Sequence, residues 1–428
     1  DGIRDRSPSR GLGDVYKRQA QYWAQTTYTD ESNYEMQNRN IPNNHWRTMY
    51  TNVLFDFKDA KARVIDGTSV NKVGEEAQIS VLEVLAWQNL VDTFGNVPYS
   101  EALNPSENTL PKYDDAATIY ADLMVRLDLA ITQLNGASGG FSKPDLLYGG
   151  DIAAWSKFAN SLKLRLAMRL SDVNPSVSKA AAEQAIASGV FTSNSDNTAL
   201  QYLSSPPNTN PIWVSIIQSG RKDYVAANTL VDYMNDLSDP RLDHYFRDKV
   251  SGAYLGGPYG QTNTYSKYSH INSQILAPDF EGTLIDFVEV SFLQAEAVER
   301  GYTLSGSAEQ HYNNGIEASI LYWGGSAADV TTYMANPKVA YATATGDWKE
   351  KIAMQFWIGM YNRGCEGWNV WRKFDNPQLN IPVASQRAVP TRYTYPIPEQ
   401  NLNETNRSAA ATSIGGDTQN TKIFWDVN

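Results

Sequence analysis

The chain has 428 residues, with 36 Lys and Arg against 47 Asp and Glu, a formal charge of −11, and 42% hydrophobic and 11% aromatic residues. This composition is globular, and the acidic balance repels phosphate backbones, so nucleic acid is excluded as the expected ligand while a neutral polymer meets no such barrier. The single cysteine, Cys365, and four histidines rule out an intrachain disulfide and leave little for zinc chemistry, so no metal or cofactor is expected and Cys365 reads as a small buried hydrophobe.

No segment approaches the ~20 continuous apolar residues of a membrane span. Residues 1–19 are rich in Arg, Ser and Gly, lack an apolar face and resemble translated sequencing-adaptor sequence. They read as non-native, which leaves 20–428 as a single domain and any secretory signal or anchor outside this sequence.

Helical spacing dominates residues 40–360. Helices are expected over 44–64 and over 73–94, the latter with Ile79, Leu82 and Leu90 inward. Ile119, Leu123, Leu127, Ala130 and Leu134 recur at steps of four and three, which stacks them on one helix face, with Asp114 and Asp115 as cap candidates and Gly136 at the end. Over 151–170 the pattern sets Phe158, Leu162 and Leu166 inward and Lys163, Arg165 and Arg169 outward. A short Ala-rich helix fills 177–187 and stops at Gly189; others cover 288–300, stopping at Gly301, then 307–321 and 348–360. Successive helices with short or medium connections form the pattern of helix-hairpin pairs, a mainly all-α fold.

Long irregular stretches separate them. Residues 194–224 hold Pro206, Pro207 and Pro211; residues 251–285 hold Gly252, Gly256, Gly257 and Gly260 with Tyr254, Tyr259, Tyr265 and Tyr268; the chain after Asp375 is rich in Pro, Asn and Thr. Aromatic-rich loops of this length are expected to be ordered and functional, with few short strands.

Five motifs in order carry a family likeness: Gln21-Tyr22-Trp23-Ala24-Gln25; Thr93-Phe94-Gly95-Asn96-Val97-Pro98-Tyr99-Ser100-Glu101-Ala102-Leu103; Val288-Glu289-Val290-Ser291-Phe292-Leu293-Gln294-Ala295-Glu296-Ala297; Trp368-Asn369-Val370-Trp371-Arg372-Lys373; and Arg392-Tyr393-Thr394-Tyr395-Pro396-Ile397-Pro398-Glu399-Gln400-Asn401. Together, over roughly 21–405, they resemble the SusD/RagB family of nutrient-binding outer-membrane lipoproteins. The resemblance implies a tetratricopeptide-like scaffold of four helix pairs. It also implies a lipid tether to the outer membrane of Bacteroidetes, capture of oligosaccharides, and import through a SusC-type TonB-dependent transporter. The lipidated N-terminal cysteine of the pattern is not in this sequence, since Cys365 lies far inside. A glucan such as laminarin or starch is the preferred ligand on this reading, because exposed Trp suits the flat faces of glucose.

Sugar capture needs rings for the apolar C–H faces and polar side chains for the hydroxyl rim. Trp87 and Trp155 fall in helical patterns and read as core, as do Trp46, Trp357 and Trp371. Trp23 and Tyr28 lie in a polar, β-branched run, Trp213 follows the proline-rich loop, Tyr254 and Tyr259 lie in the glycine-rich loop, and Trp323 stands before Gly324 and Gly325. These six rings, with Asp30, Asn33 and Arg39 as polar contacts, are the expected binding residues.

Two other functions compete. An all-helical glycoside hydrolase needs a carboxylate pair about 5–9.5 Å apart, and Glu289, Glu296 and Glu299 share one helix, with a salt-bridged or solvated face as the simpler explanation. A peptide-binding protein of the RagB kind is the other. With no G-x-S-x-G, HExxH or P-loop present, a binding protein and not an enzyme is expected.

Overall fold

The computed structural model describes residues 19–143 and 145–428. In chain order its main helices are α1 (Ile41–Arg47), α2 (Phe55–Asp66), α3 (Lys72–Phe94), α4 (Ala116–Gly136), α5 (Ile152–Arg169), α6 (Pro175–Ser188), α7 (Asn228–Asp236), α8 (Phe287–Glu299), α9 (Ala308–Tyr322), α10 (Ala327–Met334), α11 (Trp348–Gly359), α12 (Gly364–Phe374) and α13 (Glu404–Ser413). The strands are short: β1 (Trp23–Gln25), β2 (Val97–Pro98), β3 (Tyr113–Asp114), β4 (Thr198–Leu200), β5 (Tyr224–Ala226), β6 (Phe246–Arg247), β7 (His270–Ile271) and β8 (Gly282–Ile285). They form four antiparallel two-stranded ladders, β1–β5, β2–β3, β4–β8 and β6–β7. The mainly all-α class with few short strands is therefore what the chain adopts.

The chain divides into two compact units. One comprises residues 40–191 and 390–427. Here α3 packs on α4, α4 on α5 and α5 on α6, the successive pairing of a tetratricopeptide-like array. Ile119, Leu123, Leu127, Ala130 and Leu134 all face the core as their spacing requires. Asp115 caps α4 by accepting the Thr118 amide at 2.9 Å, and Asp151 caps α5 by accepting the amides of Ala153 and Ala154. Between α1 and α2 the helix widens to i→i+5 winding over Thr48–Leu54, so 41–66 runs on as one interrupted helical stretch.

One expectation fails in this unit. Lys163, Arg165 and Arg169 are buried, not outward. Lys163 pairs with Asp128 and also reaches Gln184 at 2.8 Å; Arg169 lies 3.7 Å from Asp92 and over the Trp425 ring at 5.2 Å. A buried charge is tolerated only when it is paired, and these partners lie far along the chain, beyond the reach of a local pattern.

The other unit comprises the described residues up to Arg39, Thr192–Val389 and Asn428. In it α8 packs on α9 and α11, α9 on α10, and α11 on α12. Helix α12 carries two glycines in its first turn, and Gly367 has a steric reason: a Cβ there would collide with the Tyr22 hydroxyl. Cys365, on the same helix, is half-exposed, which corrects the buried reading. Trp371, further along it, is also half-exposed.

Buried ion pairs organise this unit. Arg241 is sealed with Asp239 and hydrogen-bonds Gln355 at 2.8 Å and Ser319 at 3.1 Å. Arg363 joins Asp286 at 2.6 Å and also pairs with Glu289. Glu296 accepts from Arg300 at 2.8 Å and lies 3.1 Å from Lys373.

Candidate functional site

All nine expected binding residues fall in the second unit. The structure sorts them into an aromatic interior and an exposed loop.

Trp23, Tyr259 and Trp323 are interior, at 0%, 1% and 2% exposure. Trp23 is the middle of a packed layer: it sits on β1 opposite Ala226, donates its indole N–H to the Tyr361 hydroxyl at 3.0 Å and tilts against Tyr224 at 5.7 Å. Trp323 meets Tyr245 edge-on at 4.9 Å and stacks on Phe280 at 5.8 Å. Tyr259 packs on Tyr34 at 5.8 Å. Tyr254 is nearly as covered; its hydroxyl donates to Asp243 at 2.7 Å, and burial first, then that carboxylate, pushes its pKa up. These four rings are corrected from surface platform to core. The physical reason is common to them: each closes a loop onto the unit by burying an aromatic face, which stabilises far more than a solvated ring would. Asn33 is likewise used internally, its amide donating to Thr29 O at 2.9 Å and its carbonyl accepting the Ser385 amide at 3.0 Å.

Tyr28, Asp30 and Arg39 remain at the surface, and one loop brings them together. Tyr28 is 65% exposed and holds a left-handed backbone, φ 53°. That conformation is costly for a bulky residue. It is fixed by Gln25, whose side-chain amide donates to the Tyr28 carbonyl at 2.8 Å and to Glu31 at 2.9 Å, while its Oε1 accepts the Ser32 amide at 3.0 Å. The Arg39 guanidinium lies over the Tyr28 ring, 5.5 Å from its centre, and 3.6 Å from Glu31. Asp30 accepts from Asn38 at 3.2 Å. The loop thus offers an exposed ring in a fixed orientation, with a cation against it and a carboxylate in the same turn.

Neighbouring loops extend this edge. Thr26 donates to Lys222 O at 2.6 Å, and its amide reaches Asp223 O at 2.9 Å, so the turn before β5 lies beside the Tyr28 loop. Tyr265 stacks on His270 at 3.8 Å, with the Lys222 ammonium 5.4 Å from its ring centre. Tyr224 and Tyr265 are half-exposed and were not singled out as binding candidates by the sequence; only the register Gln25↔Tyr224 reveals that Tyr224 sits at this end of the ladder. Trp213, the remaining candidate, is half-exposed on the turn Pro211–Trp213.

Of the three carboxylates weighed for hydrolysis, Glu289 and Glu296 are fully buried in the ion pairs described above, Glu289 with Arg363 and Glu296 with Arg300 and Lys373. Glu299 is half-exposed and accepts from the Tyr341 hydroxyl at 2.7 Å. Among the described residues no group of three or more His, Cys, Asp or Glu could hold a metal ion, and no helix is long and apolar enough to cross a membrane.

Paired helices carrying long ordered loops define the class of scaffold, and comparison with known proteins gives its family. The SusD-like family model, described as starch-binding and associating with the outer membrane, matches residues 6–396, and the chain belongs to this family. Among solved structures it is similar to a chitin-binding protein at 30% identity and TM-score 0.84, covering 99% of this chain and 96% of that one. It is similar also to a chitin-binding SusD homologue from Flavobacterium johnsoniae (26% identity, TM-score 0.83, 100% and 96% covered). A third is a SusD homologue from Bacteroides ovatus (25% identity, TM-score 0.80, 96% and 94% covered). No curated protein matches the chain.

Proposed function

We propose that this protein captures a neutral oligo- or polysaccharide at the bacterial surface, through the edge centred on Tyr28, and delivers it to a SusC-type TonB-dependent transporter. The observation that carries the site is the exposed Tyr28 ring, held in a left-handed backbone by Gln25. A strained, over-determined conformation at an exposed aromatic is a mark of function, and a preorganised ring loses little entropy on binding. The sugar's apolar face lies on the open side of Tyr28, and Asp30 and Arg39 serve the hydroxyl rim. The family's outer-membrane association supports the surface location, with lipid anchoring as the family pattern implies.

For the ligand we place a chitin-type chain of β-linked N-acetylglucosamine first. Two of the similar structures are described as chitin-binding. The preference for laminarin or starch rested on exposed tryptophans, and Trp23 and Trp323 are buried. Titration calorimetry with chitin, laminarin and malto-oligosaccharides tests this reading: chitin oligosaccharides bind most tightly and Tyr28→Ala weakens them. Binding only to peptides would favour the RagB-like alternative.

A further inference from the structure

The loop over residues 380–387 closes against the Tyr28 loop from a distant part of the sequence. Gln21 holds its start, donating to Asn380 O at 2.7 Å and accepting the Asn380 amide at 2.9 Å. The Asn33 side chain, buried at 6% exposure, spans the two loops. It donates to Thr29 O at 2.9 Å and accepts the Ser385 amide at 3.0 Å, so one amide group joins the residue after Tyr28 to the second loop. Arg387 adds a further tie, 3.4 Å from Glu35.

Within the loop Pro382 is buried and fits over Gly260, where an added Cβ would come within 2.4 Å of the proline Cβ. Val383 N donates to Tyr259 O at 3.0 Å and Ala384 N to Gly260 O at 3.2 Å. Gln386 takes a left-handed backbone, φ 55°, while its side-chain amide donates to Val383 O at 2.8 Å and Pro382 O at 3.2 Å. The device at Tyr28 is thus repeated: a residue other than glycine in a costly conformation, with a side-chain amide fixing the turn. The anchored loop leaves Ile381 and Val383, on either side of the buried proline, each 49% exposed. Aliphatics exposed singly need no explanation. Here three of the seven exposed large hydrophobics among the described residues of this unit, Tyr28, Ile381 and Val383, fall on two loops joined by one side chain, which gathers them at one edge.

We infer that Ile381 and Val383 form a specificity wall of this site and select an N-acetylated sugar over a plain glucan. A β-1,4-glucan carries a hydroxyl where a chitin chain carries an acetamido group. Against two aliphatic side chains that hydroxyl loses water without gaining a partner, which is unfavourable. An acetamido methyl in the same place leaves water favourably. The inference rests on the proposed sugar capture at this edge and adds the determinant of which sugar is held.

Calorimetry of the full chain with N-acetylchitotetraose and cellotetraose, which share a linkage and differ at that group, tests it on wild type, Val383→Thr, the Ile381→Thr/Val383→Thr double variant and Tyr28→Ala. Threonine is β-branched and both positions are exposed, so the melting temperature stays at the wild-type value. Wild type prefers N-acetylchitotetraose, and the double variant narrows that preference by about 4-fold, the worth of one methyl-sized group taken out of water. Val383→Thr alone narrows it by less. Tyr28→Ala weakens both ligands. An unchanged preference in the double variant, or no preference in wild type, overturns the wall; with Tyr28→Ala still weakened, the capture reading stands. A narrowed preference beside wild-type affinity in Tyr28→Ala keeps the wall and removes Tyr28. Failure of wild type to bind either ligand overturns the wall, and failure with laminaritetraose as well overturns the capture reading.

Discussion

Replacing Tyr28 by alanine and by glycine separates the ring from the backbone that presents it. Both variants lose the ring and its Arg39 contact, so both lose the same stacking contribution, about 0.5–1.5 kcal/mol, a weakening of glycan affinity of about 2- to 12-fold. They differ in the backbone. At φ 53° alanine keeps the left-handed penalty and glycine does not. That relief is about 1–2 kcal/mol, reduced by roughly 0.5–1 kcal/mol for the extra chain entropy that glycine loses on folding. Tyr28→Gly is therefore expected to be more stable than Tyr28→Ala by about 0.5–1 kcal/mol, the inverse of the usual order. Urea unfolding gives the stabilities and calorimetry the affinities. Alanine equal to or more stable than glycine would refute strained presentation of the ring, and wild-type affinity in both would remove Tyr28 from the site.

The interior yields further expectations. Burial holds His45 neutral, its pKa pushed down to about 3 from an ordinary 6.5. Between those values the unfolded chain binds the extra proton, so the His45 contribution is complete above pH 6.5 and falls by about 1.4 kcal/mol per pH unit below it. His45→Gln flattens that slope in denaturation series from about pH 7 to 4, and parallel slopes in the two proteins would contradict it. Asp239→Ala strands the sealed Arg241 guanidinium and costs about 3–5 kcal/mol in urea unfolding; a loss under about 1 kcal/mol would mean the pair is solvated. Trp323→Ala costs about 3–5 kcal/mol of stability, yet its folded fraction keeps wild-type glycan affinity; selective loss of affinity with full stability would restore Trp323 to the binding surface.

The helices were legible because their packing is periodic: the five apolar residues of α4 follow from spacing alone, and of the two cap candidates before it, Asp114 and Asp115, Asp115 is the one that caps. The polar side of α5 was not, since Lys163 and Arg169 meet Asp128 and Asp92, carboxylates on other helices. Rings in loops escape local reading for the same reason. Trp23 lies in a polar run, and its burial comes from β5 and from Tyr361, both hundreds of residues away in sequence. Trp323 and Tyr259 are sealed by partners equally invisible in their own segments. The exposure of Tyr28 was foreseeable from its polar neighbours; its left-handed backbone was not, because tyrosine carries no signal for it.

Presentation of rings to a neutral sugar polymer is the property on which the functional reading depends. Affinity electrophoresis of the wild-type chain in gels containing glycol chitin, laminarin or starch, run beside a binding panel of peptides, tests it most directly. Retardation in a polysaccharide gel, strongest with glycol chitin and with no binding to the peptides, is the predicted result; unretarded migration in every polysaccharide together with peptide binding would contradict it.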